Sequence, residues 1–141
     1  MKRIIIAVLC VLGLVSALDA QEKKGVMTLS SKEFKTKVYD ISAKNPEYLV
    51  SKPAIVDFYA SWCGPCRAIS PVLEELAKEY GDKIVIYKVD VDASRDIAQA
   101  FGIRSIPAVL FIPMKGEAQM TVGGRSKEDF KKQIDTILLG K

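Results

Sequence analysis

Hydrophobic positions along this chain switch repeatedly between short unbroken runs and a helical repeat. The runs are Val26–Leu29, Pro53–Tyr59, Lys83–Asp92 around Ile84–Val91, Ala108–Ile112 and Ala118–Val122. Each is short, rich in β-branched or aromatic residues and bounded by turn formers, which predicts five strands. Between and after them, apolar side chains recur three and four residues apart: Phe34, Val38 and Ile41; Leu73, Leu76, Ala77 and Tyr80; Ile97, Ala98 and Phe101; Phe130, Ile134, Ile137 and Leu138. That spacing predicts four helices.

Boundary residues agree with this reading. Ser30 or Ser31 offers an N-cap to the first helix, with Glu33 placed to complete a capping box from Ser30. Asp92 or Ser94 caps the third, Ser126 opens the fourth, and Gly81 and Gly102 stop the second and third. Strand and helix alternate with short connections, the pattern of βαβ units entered by right-handed crossovers. The last two strands are separated only by Pro113–Gly116, too short for a crossover, so they pair antiparallel. The predicted architecture is α/β, a central mixed five-stranded sheet flanked by four helices. Pro71 falls inside the second helix and predicts a kink, with the Arg67 carbonyl losing its partner. Residues 42–52 read as a loop broken at Asn45-Pro46, in which Tyr48 and Leu49 serve as a packing anchor or as a binding feature.

The N-terminus changes the picture. Met1-Lys2-Arg3 precedes an apolar stretch from Ile4 to Leu18, interrupted only by Gly13 and Ser16. A charged start followed by an apolar run shorter than the ~20 residues of a membrane span predicts a signal peptide over residues 1–20. Cleavage after Ala17 or after Ala20 both fit, and an uncleaved membrane anchor is the alternative. Lipidation at Cys10 is disfavoured because Leu9 stands where a small residue is needed. Residues 21–25 read as a loose polar tail and 26–141 as one domain, since 141 residues with 49% hydrophobic and 27% charged side chains leave room for one core. Without the leader the balance is 19 basic against 16 acidic side chains, or +3, interspersed rather than clustered. That excludes a strong nucleic-acid binder. Two cysteines then remain, an even number suited to an oxidising compartment and a periplasmic location.

Those two stand in Trp62-Cys63-Gly64-Pro65-Cys66, where a buried strand delivers the chain into a helix. Unpaired amide N–H groups and the positive end of the helix dipole favour a thiolate there. Cys63, at the exposed outer edge of the turn, is the expected nucleophile, and Cys66, one helical step inside, the resolving thiol. A zinc site would need two further Cys or His ligands, but the chain has no histidine and its third cysteine lies in the leader. A purely structural bridge closing so short a loop would restrain the unfolded chain little. Asp57 is a carboxylate inside an apolar strand; either burial raises its proton affinity or backbone N–H groups satisfy it. Lys88, on the strand expected beside it, reads as a partly buried counter-ion or as a lysine snorkelling to solvent.

In order along the chain, the Asp57 strand, Trp62–Cys66, Pro71, Tyr87-Lys88-Val89-Asp90, Gly102–Pro107 and Val122-Gly123 resemble the thioredoxin family, from about Val26 to the C-terminus. The chain is most similar to exported thioredoxins of Bacteroidetes-type bacteria. The resemblance implies a thioredoxin fold and a protein-disulfide oxidoreductase whose redox-active disulfide is Cys63–Cys66, with no cofactor and no metal. It implies that Asp57 exchanges a proton with Cys66, that Ile106-Pro107 is a cis peptide opposite the disulfide, and that Lys88, Gly64, Pro65 and Pro107 support the site. Trp62, Val91, Ile106, Val122 and Gly123 would form the apolar rim that receives substrate. Gly-Pro between the cysteines is similar to the reducing members of the family. The expected function is an exported, monomeric disulfide reductase acting on disulfide-bearing proteins and recharged by a membrane thiol electron donor. A dedicated reductant of cytochrome c maturation and a redox-silent client-binding module are the alternatives.

Overall fold

The computed structural model describes residues 25–141, so the predicted signal peptide and most of the predicted tail lie outside the described residues. Five strands form one sheet: β1 (Met27–Thr28), β2 (Ala54–Tyr59), β3 (Val85–Asp90), β4 (Ala108–Ile112) and β5 (Gln119–Val122). Their order is β1-β3-β2-β4-β5, with β1, β3 and β2 parallel and β4 antiparallel to both β2 and β5. The mixed sheet expected from the Pro113–Gly116 turn is therefore present. β2 lies at the centre, and its first five residues are buried.

Four helices cover the sheet: α1 (Ser31–Lys37), α2 (Gly64–Tyr80), α3 (Arg95–Ala100) and α4 (Lys127–Gln133). α2 and α4 close one face, where Ile69, Leu73 and Leu76 meet Ile55, Phe111, Phe130 and Ile134. α1 and α3 close the other, where Phe34 and Ile97 pack on Val56, Phe58 and Leu110. Phe34 is fully buried, with its ring 5.4 Å from that of Phe101 and 6.4 Å from that of Phe58. Truncating such a residue to alanine costs about 3–5 kcal/mol.

Ser30 and Glu33 form the expected capping box, but α1 ends at Lys37, before Ile41. The chain leaves the helix because Tyr39 bridges Tyr48, and the Leu49 amide donates to the Val38 carbonyl. The rings of Tyr39 and Tyr48 are 4.8 Å apart, so Tyr48 anchors the 42–52 loop while Leu49 remains exposed. Ser94, not Asp92, stands at the N-cap of α3. β3 is more open than a doubly covered strand, because its outer neighbour β1 is only two residues long. α2 runs unbroken through Pro71. The last helix widens into a π-helical turn over Ile134–Leu138, which keeps Ile134 and Leu138 buried against the sheet.

Candidate active site at the N-terminus of the long helix

Cys63 is the N-cap of α2, extended in backbone, and its Sγ accepts a hydrogen bond from the Cys66 amide at 3.2 Å. Gly64 and Pro65 begin the helix; proline costs nothing there, because an N–H in the first turn has no helical acceptor. A Cβ on Gly64 would meet nothing within 4 Å, so the outer side of the turn is open to an approaching chain. Cys63 and Cys66 are joined as a disulfide with Cα atoms 5.3 Å apart.

The sulfurs are less accessible than the turn suggested. Cys63, expected at an exposed edge, is only 5% exposed and Cys66 2%. Ala60, Tyr59, Val91 and Ile106 pack around them, so the order of exposure matches the sequence reading but its degree does not. The Ile106 carbonyl oxygen stands 3.8 Å from Cys63 Sγ, and Ile106-Pro107 is cis.

Trp62 is 67% exposed and is held by its indole N–H, which donates to Asp92 Oδ2 at 2.8 Å. Val91 and Ile106 are half-buried against the cysteines, and Val122 is exposed. Gly123 has φ +94°, a left-handed conformation that favours glycine, and its amide donates to the Pro107 carbonyl at 2.8 Å. The sequence by itself gives Asp92 only a capping role. The available signal was Asp90-Val91-Asp92, where Asp90 Oδ1 accepts from the Asp92 and Ala93 amides and shapes the turn that presents Asp92 to Trp62.

Asp57 lies in register with Lys88 on β3 and Val109 on β4. Ile55 and Tyr59, two residues to either side, point toward α2, and Asp57 shares that face. Its carboxyl is fully buried and neither oxygen has a hydrogen-bond partner, which rules out satisfaction by backbone N–H groups. Burial pushes its pKa up to about 6, opposed by the positive charge of Lys88. One of the two readings of Lys88 seats it against Asp57, and that contact is absent, although its charge still acts on the carboxyl through space. Lys88 Nζ instead donates to Ser70 Oγ at 2.7 Å and stands 4.3 Å from the centre of the Tyr59 ring. These groups wall a cavity of about 530 Å³ that also touches Cys66, Arg67 and Pro71. A groove of about 250 Å³ beside Leu49, Lys52 and Asp82 lies at the opposite end of the strands and has no cysteine in its lining. Among the described residues, no group of three or more His, Cys, Asp or Glu is placed to hold a metal ion.

A buried strand, a cysteine pair capping the next helix and a cis-proline strand facing it occur here in one order over most of the chain, and the thioredoxin family model matches residues 25–136. The chain belongs to the thioredoxin family. It is 41% identical over 109 residues to a thioredoxin of Borreliella burgdorferi, covering 77% of this chain and 93% of that protein. It is 45% identical over 86 residues to the chloroplastic M-type thioredoxin of Pisum sativum, covering 61% of this chain and 50% of the pea protein, about half its length. The solved structure of chloroplastic thioredoxin z superposes with a TM-score of 0.67 at 26% identity, over 80% of this chain and 94% of that one. As thioredoxins are, this protein is a protein-disulfide oxidoreductase, and Cys63–Cys66 is its disulfide.

Proposed function

We propose that the protein is an exported disulfide reductase in which Cys63 attacks and Cys66 resolves. The observation that carries this is the cysteine pair at the opening of α2, with Cys63 beside the Ile106 carbonyl and the exposed Trp62 and Val122 at its rim. The Cys63 thiolate attacks one sulfur of a substrate disulfide, that S–S bond breaks, and a mixed disulfide forms with release of the first substrate thiolate. Cys66 then gives its proton to the Asp57 carboxylate, and its sulfur attacks Cys63. The second substrate thiolate leaves, and both electrons have come from the cysteine pair. With a pKa of about 6, Asp57 is mostly ionised at neutral pH yet holds a proton more readily than an ordinary aspartate.

Trp62, Val91, Ile106, Val122 and Gly123 hold the client chain, while Gly64 and Pro65 open the helix and Pro107 faces the disulfide. The protein works as a monomer whose rim stays free for clients. Export rests on the charged start and the Ile4–Leu18 apolar run of this chain. Reduction outside the cytoplasm requires electrons from across the membrane, hence a membrane thiol donor. Mass spectrometry of the protein from its native host should find Gln21 or Leu18 at the N-terminus; an intact Met1 would replace the free form by an anchored one.

The deciding assay is thiol-dependent reduction of insulin together with the redox potential of Cys63–Cys66. No histidine stands near the cysteines and Arg67, the nearest cation in sequence, donates to the Ser61 carbonyl, so helix amides supply most of the thiolate stabilisation. A moderately stabilised thiolate makes the reduced form a good donor, with a potential near that of reducing thioredoxins, about −270 mV. A value near about −120 mV, or no insulin turnover, would overturn the reductase reading.

A further inference from the structure

The ammonium of Lys88 is not where simple attraction would put it. Lys88 and Asp57 are register partners on adjacent parallel strands, a separation of about 5 Å that the lysine stem easily spans. Asp57 is buried with two free oxygens, and a cation released beside it would be drawn to them. Instead the ammonium is bonded to Ser70 Oγ of α2 at 2.7 Å and seated over the Tyr59 ring.

We propose that Ser70 is a positioning residue of the redox centre: it holds the Lys88 ammonium against Tyr59 at the cavity wall and so keeps the Asp57 carboxyl free of a direct counter-ion. This rests on the reading of Asp57 as proton acceptor for Cys66. A hydrogen bond from a charged donor is among the stronger ones, and the aromatic face adds a second attraction to the same point. Lys88 is thereby kept close enough to lower the cost of a charged Asp57 through space, but not close enough to remove its affinity for a proton. The other groups on that face do not replace it. Val109 of β4 and Thr121 of β5, next to it in register, carry no charge; α2 offers Cys66 and, around the cavity, Arg67 and Glu74; β2 offers the Tyr59 phenol. Among the described residues no other cation is in register with Asp57, so the direction of the Lys88 side chain sets how far its charge offsets the effect of burial on the carboxyl.

The test is the titration of Asp57 followed by carboxyl-carbon NMR in the oxidised protein, combined with the pH profile of mixed-disulfide resolution. Ser70→Ala frees the ammonium to reach Asp57 and should lower the titration midpoint by about one pH unit, the low end of what an adjacent cation gives. It should also slow resolution roughly threefold, as expected for a weaker base. Ser70→Thr retains the hydroxyl and should restore both. Lys88→Met should raise the midpoint, and adding Ser70→Ala to it should then change nothing. An unmoved midpoint in Ser70→Ala, or the same fall with and without Lys88, would overturn the proposal. If instead Asp57→Asn leaves the resolution rate and its pH profile unchanged, the proton-acceptor reading fails, while the NMR midpoints still judge the placement of Lys88.

Discussion

Two aspartates on opposite sides of the sheet show how differently this molecule treats one side chain. On the side covered by α1 and α3, Asp96 accepts from Lys35 Nζ at 2.7 Å and from the Ser31 hydroxyl at 2.6 Å, and its pKa falls to about 2, first because of Lys35 and then because of Ser31. On the side covered by α2 and α4, Asp57 accepts nothing, and burial raises its pKa to about 6. The first region fastens two helices together at the surface. The second leaves a carboxyl unsatisfied in the core, on the sheet face that Tyr59 shares with the cysteine pair, where a stable arrangement would have supplied partners. Perturbation alone therefore does not mark a functional group: Asp96 is also shifted, but by partners that hold its proton off rather than by an environment that lets it exchange one.

The sharpest break between the regions concerns turnover. Cys66→Ser should reduce insulin turnover to background and accumulate mixed disulfides through Cys63, whereas Lys35→Ala should leave the rate unchanged. If non-reducing gels instead show adducts only with Cys63→Ser, the two thiols exchange roles.

Next in size is the pH dependence of stability. Because the folded pKa of Asp57 is raised, its contribution is fully favourable below about pH 4 and is lost as pH rises through about 6. The rise from 3.8 to about 6 corresponds to a loss on the order of 3 kcal/mol. Asp57→Asn should remove most of this slope between pH 4 and 8 in urea unfolding of the oxidised protein, and an unchanged slope would assign the strain elsewhere.

Asp96→Asn should act in the opposite sense and more weakly. The depressed pKa of Asp96 gives stability that is present above about pH 4 and is lost as pH falls through about 2, so the variant should unfold at lower urea at pH 7 and match the wild type near pH 2. Smallest is Lys127→Ala, which cuts the surface ion pairs joining α4 to Glu75 and Glu79 of α2. Its melting temperature should fall slightly, with no change in redox potential.

Much of this contrast was already written locally. The capping box at Ser30 and Glu33, the stop at Gly81, the strands on either side of Pro113–Gly116 and the placement of Cys63 at a helix start all follow from neighbours a few residues apart. Asp57 was conspicuous because an apolar strand has little use for a carboxylate. The bond between Ser70 and Lys88 was not visible, since Ser70 is an ordinary helical residue until α2 is laid across β3. The role of Asp92 was hidden for a similar reason: its partner Trp62 is 30 residues away.

Hydrophobic period, turn residues and the Cys-Gly-Pro-Cys spacing thus determined the elements, the mixed sheet and the reacting sulfurs, because each depends on interactions within a few residues of chain. Tertiary structure decided the rest. It buried Cys63 beneath Ile106 and Val91, left both oxygens of Asp57 without a partner, and turned the Lys88 ammonium toward Ser70 instead of toward the carboxylate beside it. These outcomes depend on where separate elements cross. Desolvation and charge act through space, so a carboxylate's proton affinity is a property of its surroundings in three dimensions and not of its place in the chain.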